Sequence, residues 1–75
     1  MPRLPAISGR EAVSAFERAH WTVTRQAGSH IILTRPGTRV TLSVPNHREV
    51  RRGTLRSLIR RAELTVDEFV ALLEQ

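Results

Sequence analysis

The side chains of this sequence best suited to chemistry are its three histidines, His20, His30 and His47. Imidazole can take or give a proton near neutral pH. The chain has no cysteine, so disulfides and thiolate metal sites are excluded. It carries no serine or cysteine nucleophile motif and no Gly-rich phosphate loop of the P-loop type. A metal site built from the histidines lacks the right spacing. No two of them stand four residues apart on one helix, and no carboxylate is spaced with them. Acid/base work by a lone imidazole is the chemistry left.

His30 is placed best for it. It follows a glycine turn in Ala27-Gly28-Ser29-His30 and opens a β-branched run, His30-Ile31-Ile32-Leu33-Thr34. Strand alternation puts Ile31 and Leu33 on one face and His30 and Ile32 on the other. An exposed imidazole there could take the proton from a ribose 2′-hydroxyl, which would then attack the adjacent phosphate. Gly28 has no side chain to keep backbone N–H groups from a phosphate. DNA lacks the 2′-hydroxyl and would be spared. By spacing alone the signal is weak, and His30 fits better as a surface histidine with no catalytic part. His20 fits the end of a helix, where a cationic side chain suits the dipole. His47, in Val44-Pro45-Asn46-His47, fits a second acid/base group, a phosphate contact, or a residue that fixes its loop by hydrogen bonds.

The second resource is charge. All twelve basic residues are Arg, and the net charge is +5. Residues 1–62 hold the twelve Arg against Glu11, Glu17 and Glu49, which leaves +9; residues 63–75 hold Glu63, Asp67, Glu68 and Glu74, which is −4. Arg48, Arg51, Arg52, Arg56, Arg60 and Arg61 crowd one short stretch. Guanidinium forks suit phosphate oxygens, and a basic body suits a polyanion. Arg52, Arg56 and Arg60 form one ridge if their helix starts early enough. The same pattern also fits a solvated helix face. Phe16, Trp21 and Phe69 are the aromatics, and each reads as core, so recognition by base stacking is poorly supported.

The elements that must carry these groups follow from periodicity. Pro2 and Pro5 mark an extended arm. Ser8 with Glu11 is a capping box, and Ala12, Val13, Ala15, Phe16 and Ala19 follow at helical spacing to near His20. Three strands are predicted at Trp21–Arg25, His30–Thr34 and Val40–Val44, joined by short turns and so antiparallel. Trp21, Val23, Ile31, Leu33, Val40, Leu42 and Val44 should face the helices. Thr22, Thr24, His30, Ile32, Thr34, Thr41 and Ser43 should share an open face. A polar connector spans 46–52. Gly53 and Thr54 then open a second helix with Leu55, Leu58, Ile59 and Ala62 inward. Thr65 with Glu68 caps a short last helix carrying Val66, Phe69, Val70, Leu72 and Leu73. The expected fold is α+β, a three-stranded antiparallel sheet with helices on one face, in one domain over residues 1–75.

Seventy-five residues bury a thin core, since such a chain hides only roughly 60% of its unfolded surface. A polymer lying on an open surface fits better than a small apolar substrate in a deep pocket. The lack of cysteine, of an apolar run long enough to span a bilayer, and of a signal-peptide stretch after Met1 predicts a cytosolic protein.

Three segments resemble one family. Arg25-Gln26-Ala27-Gly28-Ser29-His30, Val44-Pro45-Asn46-His47 and Arg52-Gly53-Thr54-Leu55-Arg56-Ser57-Leu58-Ile59 are similar to the HicA toxins of bacterial type II toxin–antitoxin systems. The closing Ala62-Glu63-Leu64-Thr65-Val66-Asp67-Glu68-Phe69 fits as well. The resemblance implies a double-stranded-RNA-binding-domain-like α-β-β-β-α fold, here with an added C-terminal helix. It implies an mRNA-cleaving endoribonuclease that depends on a single histidine, His30 in this chain, and that inhibits translation. A HicB-like antitoxin would cover the site. Gly28, Ser29, Arg48, Arg51, Arg52, Arg56 and Arg60 become the expected RNA contacts and His47 a secondary candidate, with no cofactor or metal. One departure is visible: a Gly-Phe pair is frequent after the first helix of the family, and His20-Trp21 stands here. Two rivals remain: a non-catalytic module that binds double-stranded RNA by shape, and an interaction protein whose basic face serves an acidic partner.

Overall fold

The computed structural model describes residues 3–75. Its elements are α1 (Gly9–Arg18), β1 (Thr22–Ala27), β2 (His30–Thr34), β3 (Leu42–Pro45), α2 (Arg52–Arg61) and α3 (Val66–Leu73). This is the expected α-β-β-β-α-α order, an α+β fold of the double-stranded-RNA-binding-domain type. Of the two prolines that predict the arm, Pro2 lies outside the described residues.

Two helices start as their capping boxes dictate. Ser8 Oγ accepts from Glu11 N at 3.1 Å while Glu11 Oε1 accepts from Ser8 N at 2.9 Å. Thr65 and Glu68 repeat the exchange at 3.1 and 2.8 Å ahead of α3. Each box satisfies two of the donors that a helix start leaves unpaired. The second helix begins at Arg52, one residue before the expected Gly53, with Arg51 as an N-cap that makes no side-chain cap.

The helix ends share one device. His20 has φ 74° and Glu63 φ 61°, both left-handed. His20 N donates to Glu17 O and Trp21 N to Phe16 O; Glu63 N and Leu64 N do the same to Arg60 O and Ile59 O. These are paired backward bonds of the Schellman type, which favour glycine at the left-handed residue. The His20-Trp21 departure is thereby explained: His20 occupies the position a glycine would hold.

The sheet order is β1-β2-β3, antiparallel throughout. Its helix side supplies Ile31, Leu33, Leu42 and Val44 to a core shared with Ala12, Ala15, Phe16, Leu55, Leu58, Ile59 and Phe69, all buried. Phe69 of α3 meets Phe16 of α1 with ring centroids 5.1 Å apart. Arg61 donates from Nη2 to Thr41 O at 3.2 Å, so α2 runs antiparallel to β3 and ends beside its start. Trp21 is buried before β1 begins, with the Arg35 guanidinium 4.7 Å over its ring. The arm is more than a connector. Leu4 and Ile7 are buried with Val50, whose N donates to Ile7 O at 2.9 Å.

Four expectations need correction. The first strand runs to Ala27 rather than Arg25, and the third is Leu42–Pro45 rather than Val40–Val44. Pro45 is accommodated because β3 is an edge strand, where a missing N–H breaks little pairing. Val23 is 39% exposed. It pairs with buried Leu33 on the helix side, but α1 leaves a groove over β1. Arg10, Val13, Ser14 and Glu17 form one wall of that groove, and Val23, Gln26 and Ile31 lie across it. The simple alternation of β1 also fails. Val23 pairs with Leu33 and Arg25 with Ile32, so Thr24 is an extra residue in a β-bulge. Thr24 Oγ1 donates to Ile32 O at 3.3 Å across it.

Candidate active site and phosphate-binding surface

His30 sits at the start of β2, exposed, directly after a two-residue turn made by Gly28 and Ser29. The turn closes because Gly28 takes φ 60°, and glycine alone does so without steric cost. Ala27 and His30 face each other across it, and Pro45 lies on the other side of His30. Asn46 N donates to Ser29 O at 2.7 Å, so the chain leaving β3 is held against the turn. His47 follows at once, exposed, and its backbone oxygen accepts from Gly9 N at 2.9 Å.

The start of α1 is pressed onto the same corner. A Cβ on Gly9 would overlap the carbonyl oxygen of Pro45 and meet Asn46 Cα at 3.0 Å. Gly28, Ser29, His30, Pro45, Asn46 and His47 therefore gather at one end of the sheet, beside the start of α1. His47 fixes its loop through its backbone carbonyl, which leaves the imidazole for other work. Among the described residues, no three His, Asp or Glu side chains gather as a metal-binding group.

Cross-strand pairs share a face, which defines the open face in three rows. Thr22 stands opposite Thr34; Arg25 opposite Ile32 and then Ser43; Ala27 opposite His30 and then Pro45. His30 thus stands in the row at the turn end of an uncovered polar surface.

The expected phosphate contacts divide into two groups. Arg48 and Arg51 are exposed in the loop that leaves the His30 corner, and Arg52 begins α2 just beyond. Arg56 and Arg60 continue along α2, exposed, completing the anticipated ridge. That ridge lies in the helix layer, on the other side of the sheet from the open face. Arg52 and Arg56 line a groove there with Arg3, Thr65, Val66 and Asp67. Arg56 and Arg60 line its continuation with Ile59 and Leu64. Asp67 is the one carboxylate lining these grooves. The sole ion pair among the described residues is Arg35–Glu63, at 3.9 Å, with Glu63 exposed and Arg35 half-buried. Such a pair contributes little, so the basic groups of the loop and ridge keep their charge for a partner.

The family model for the HicA toxin of bacterial toxin–antitoxin systems matches residues 9–64. The chain belongs to the HicA toxin family. No curated protein matches it. The matched span begins at the first residue of α1 and ends with the Schellman turn of α2, so it holds the whole sheet and the His30 corner. As a HicA-family member, the chain is the toxin component of a toxin–antitoxin pair, and an antitoxin partner follows from that membership.

One side chain of this HicA-family surface escapes a reading by alternation: Arg25. Regular alternation from Thr22 would turn it toward the helices. The bulge at Thr24 turns it to the open face instead. A residue inserted at a bulge leaves no mark in a hydrophobic pattern, because Thr24 suits a regular strand equally well.

Proposed function

We propose that this HicA-family toxin is an endoribonuclease that cuts mRNA on the open sheet face, with His30 as its catalytic residue. The observation that carries the reading is the placement of His30, exposed at the rim of an uncovered face beside the Gly28-Ser29 turn. Neutral imidazole takes the proton of a ribose 2′-hydroxyl. The 2′-oxygen attacks phosphorus, the bond from phosphorus to the 5′-oxygen breaks, and water supplies the proton to the departing oxygen. The products are a 2′,3′-cyclic phosphate and a 5′-hydroxyl end, and the step needs no cofactor or metal. Gly28 and Ser29 approach the RNA backbone at the turn. Arg48, Arg51 and Arg52 hold phosphates beside the corner, and Arg56 and Arg60 extend that basic surface into the helix layer. His47 is a secondary candidate for proton transfer or phosphate contact.

A HicB-like antitoxin would silence the toxin by covering the His30 corner. The site of action would be the cytoplasm, where mRNA is translated. No helix among the described residues is long and apolar enough to cross a membrane.

The deciding experiment is His30→Ala, assayed on RNA in vitro and by growth of expressing cells. Loss of the general base should slow cleavage by about 10²- to 10⁴-fold and relieve growth arrest. A variant that still arrests growth as the wild type does would refute catalysis by His30. If both proteins bind RNA and neither cuts it, the chain is a double-stranded-RNA-binding module instead.

A further inference from the structure

We propose that Arg25 is a second catalytic residue: its guanidinium binds the non-bridging oxygens of the phosphate that His30 chemistry cleaves. The proposal rests on the ribonuclease reading above and assigns the electrostatic half of that site.

The argument starts from register. Arg25 pairs with Ile32, and Ile32 is two residues along β2 from His30 on the same face. Arg25 and His30 are therefore diagonal neighbours, about 7–8 Å apart in the backbone and within reach of a long side chain. The attacking 2′-oxygen on C2′ and the non-bridging oxygens on phosphorus belong to one nucleotide step, with C3′ and O3′ between them. A base and a cation flanking that step must stand about one phosphate group apart, and this diagonal supplies such a gap.

Charge and freedom support the assignment. Arg25 is exposed and makes no ion pair or side-chain hydrogen bond with another described residue. The other paired positions of the open face are Thr22, Thr34, Ile32, Ser43, Ala27, His30 and Pro45, none of them a fixed charge. Among the other arginines, Arg35 lies over Trp21, Arg18 donates to Leu72 O at 2.8 Å, and Arg61 is bonded to Thr41. Arg56 and Arg60 lie on the helix side. Arg25 is thus the arginine that the sheet itself sets beside His30.

In the step already written, negative charge grows on the phosphorus oxygens as the 2′-oxygen adds. A guanidinium donates two parallel hydrogen bonds to such a pair of oxygens and neither gains nor loses a proton. Donors aimed where charge develops favour the transition state over the bound substrate. The bulge matters because it rotates Arg25 onto the reactive face and Gln26 off it, while Val23 keeps its place on the helix side.

The test uses the full chain and one RNA oligonucleotide that the wild type cleaves. The same oligonucleotide carrying 2′-O-methyl groups cannot be cut, and it reports binding alone. Arg25→Ala should lower the single-turnover rate by about 100-fold or more while changing affinity for the uncut analogue by less than about threefold. Arg25→Lys, which keeps the charge without the fork, should fall between them. A rate loss matched by an equal affinity loss would make Arg25 a binding contact and overturn the inference. So would a variant that cleaves like the wild type. Circular dichroism of each variant guards against misfolding, to which an exposed position is not prone. The two levels of the reading separate cleanly. If His30→Ala cleaves as fast as the wild type, the ribonuclease reading fails and takes this inference with it. If His30→Ala is inert and Arg25→Ala is fully active, only the role of Arg25 fails.

Discussion

At the scale of the residue, the corner depends on two glycines for different reasons. A Cβ on Gly28 would meet no atom within 4 Å, so its need for glycine is conformational. Gly28→Ala should cost about 1–2 kcal/mol, the penalty of a left-handed non-glycine residue. Denaturant melts would measure it; an unchanged midpoint would mean that the turn relaxes freely. Gly9 keeps an ordinary φ but has no space, because Pro45 and Asn46 lie against it. Gly9→Ala should destabilise by about 1–3 kcal/mol through overpacking. It should also weaken cleavage, since relief of the clash pushes the end of β3 away from His30. Comparing the two variants by melting and by RNA cleavage tests that distinction. His30 and the Gly28 turn were legible in the sequence because a glycine followed by a β-branched run specifies both a turn and a phase. Arg25 was not, because a single inserted residue reverses the phase of everything after it.

At the scale of the element, the two capped helix starts were readable to the residue, while the uncapped start of α2 and the helix ends were not. Ser8-Glu11 and Thr65-Glu68 are local signals, complete within four positions. The left-handed ends at His20 and Glu63 carry residues that do not announce such a conformation. They offer a test: His20→Gly removes the strain of a left-handed histidine and should raise stability by up to about 1 kcal/mol. A lower melting temperature would show that the side chain, not the backbone, sets that corner. The packing of the arm was also not legible. Two prolines and a short length hid that Leu4 and Ile7 belong to the core, since burial of isolated apolar residues depends on which distant elements approach them. The last helix stands where the Thr65–Glu68 capping box puts it. Phe69 is fully buried against Phe16, and Phe69→Ala should cost about 3–5 kcal/mol. For a domain whose whole stability is of the order of 5–15 kcal/mol, thermal melts should show a large loss.

At the scale of the molecule, charge is sorted by layer. The acidic α3 packs in the helix layer, where Asp67 shares the groove of Arg52 and Arg56, and the loop and open-face arginines keep their full charge. Phosphate contacts made by such a surface release counterions. RNA affinity should therefore fall by more than about tenfold between 50 and 200 mM salt. Binding that ignores salt would favour an acidic protein partner with few charged contacts. The fold class was legible because three short β-branched runs between amphipathic helices admit few arrangements. The division of the arginines between two sides was not, since it depends on how the helices lie across the sheet. The packing of Phe69, Leu4 and Ile7 has one more consequence, for anyone who would divide this chain. The family match ends at residue 64 and starts at 9, yet these three buried side chains lie outside it. The unit of recognition is thus shorter than the unit of folding. An expression clone trimmed to the matched span would lose the far side of Phe16's contact and the arm with its two buried residues, and should yield an aggregating or proteolysed product.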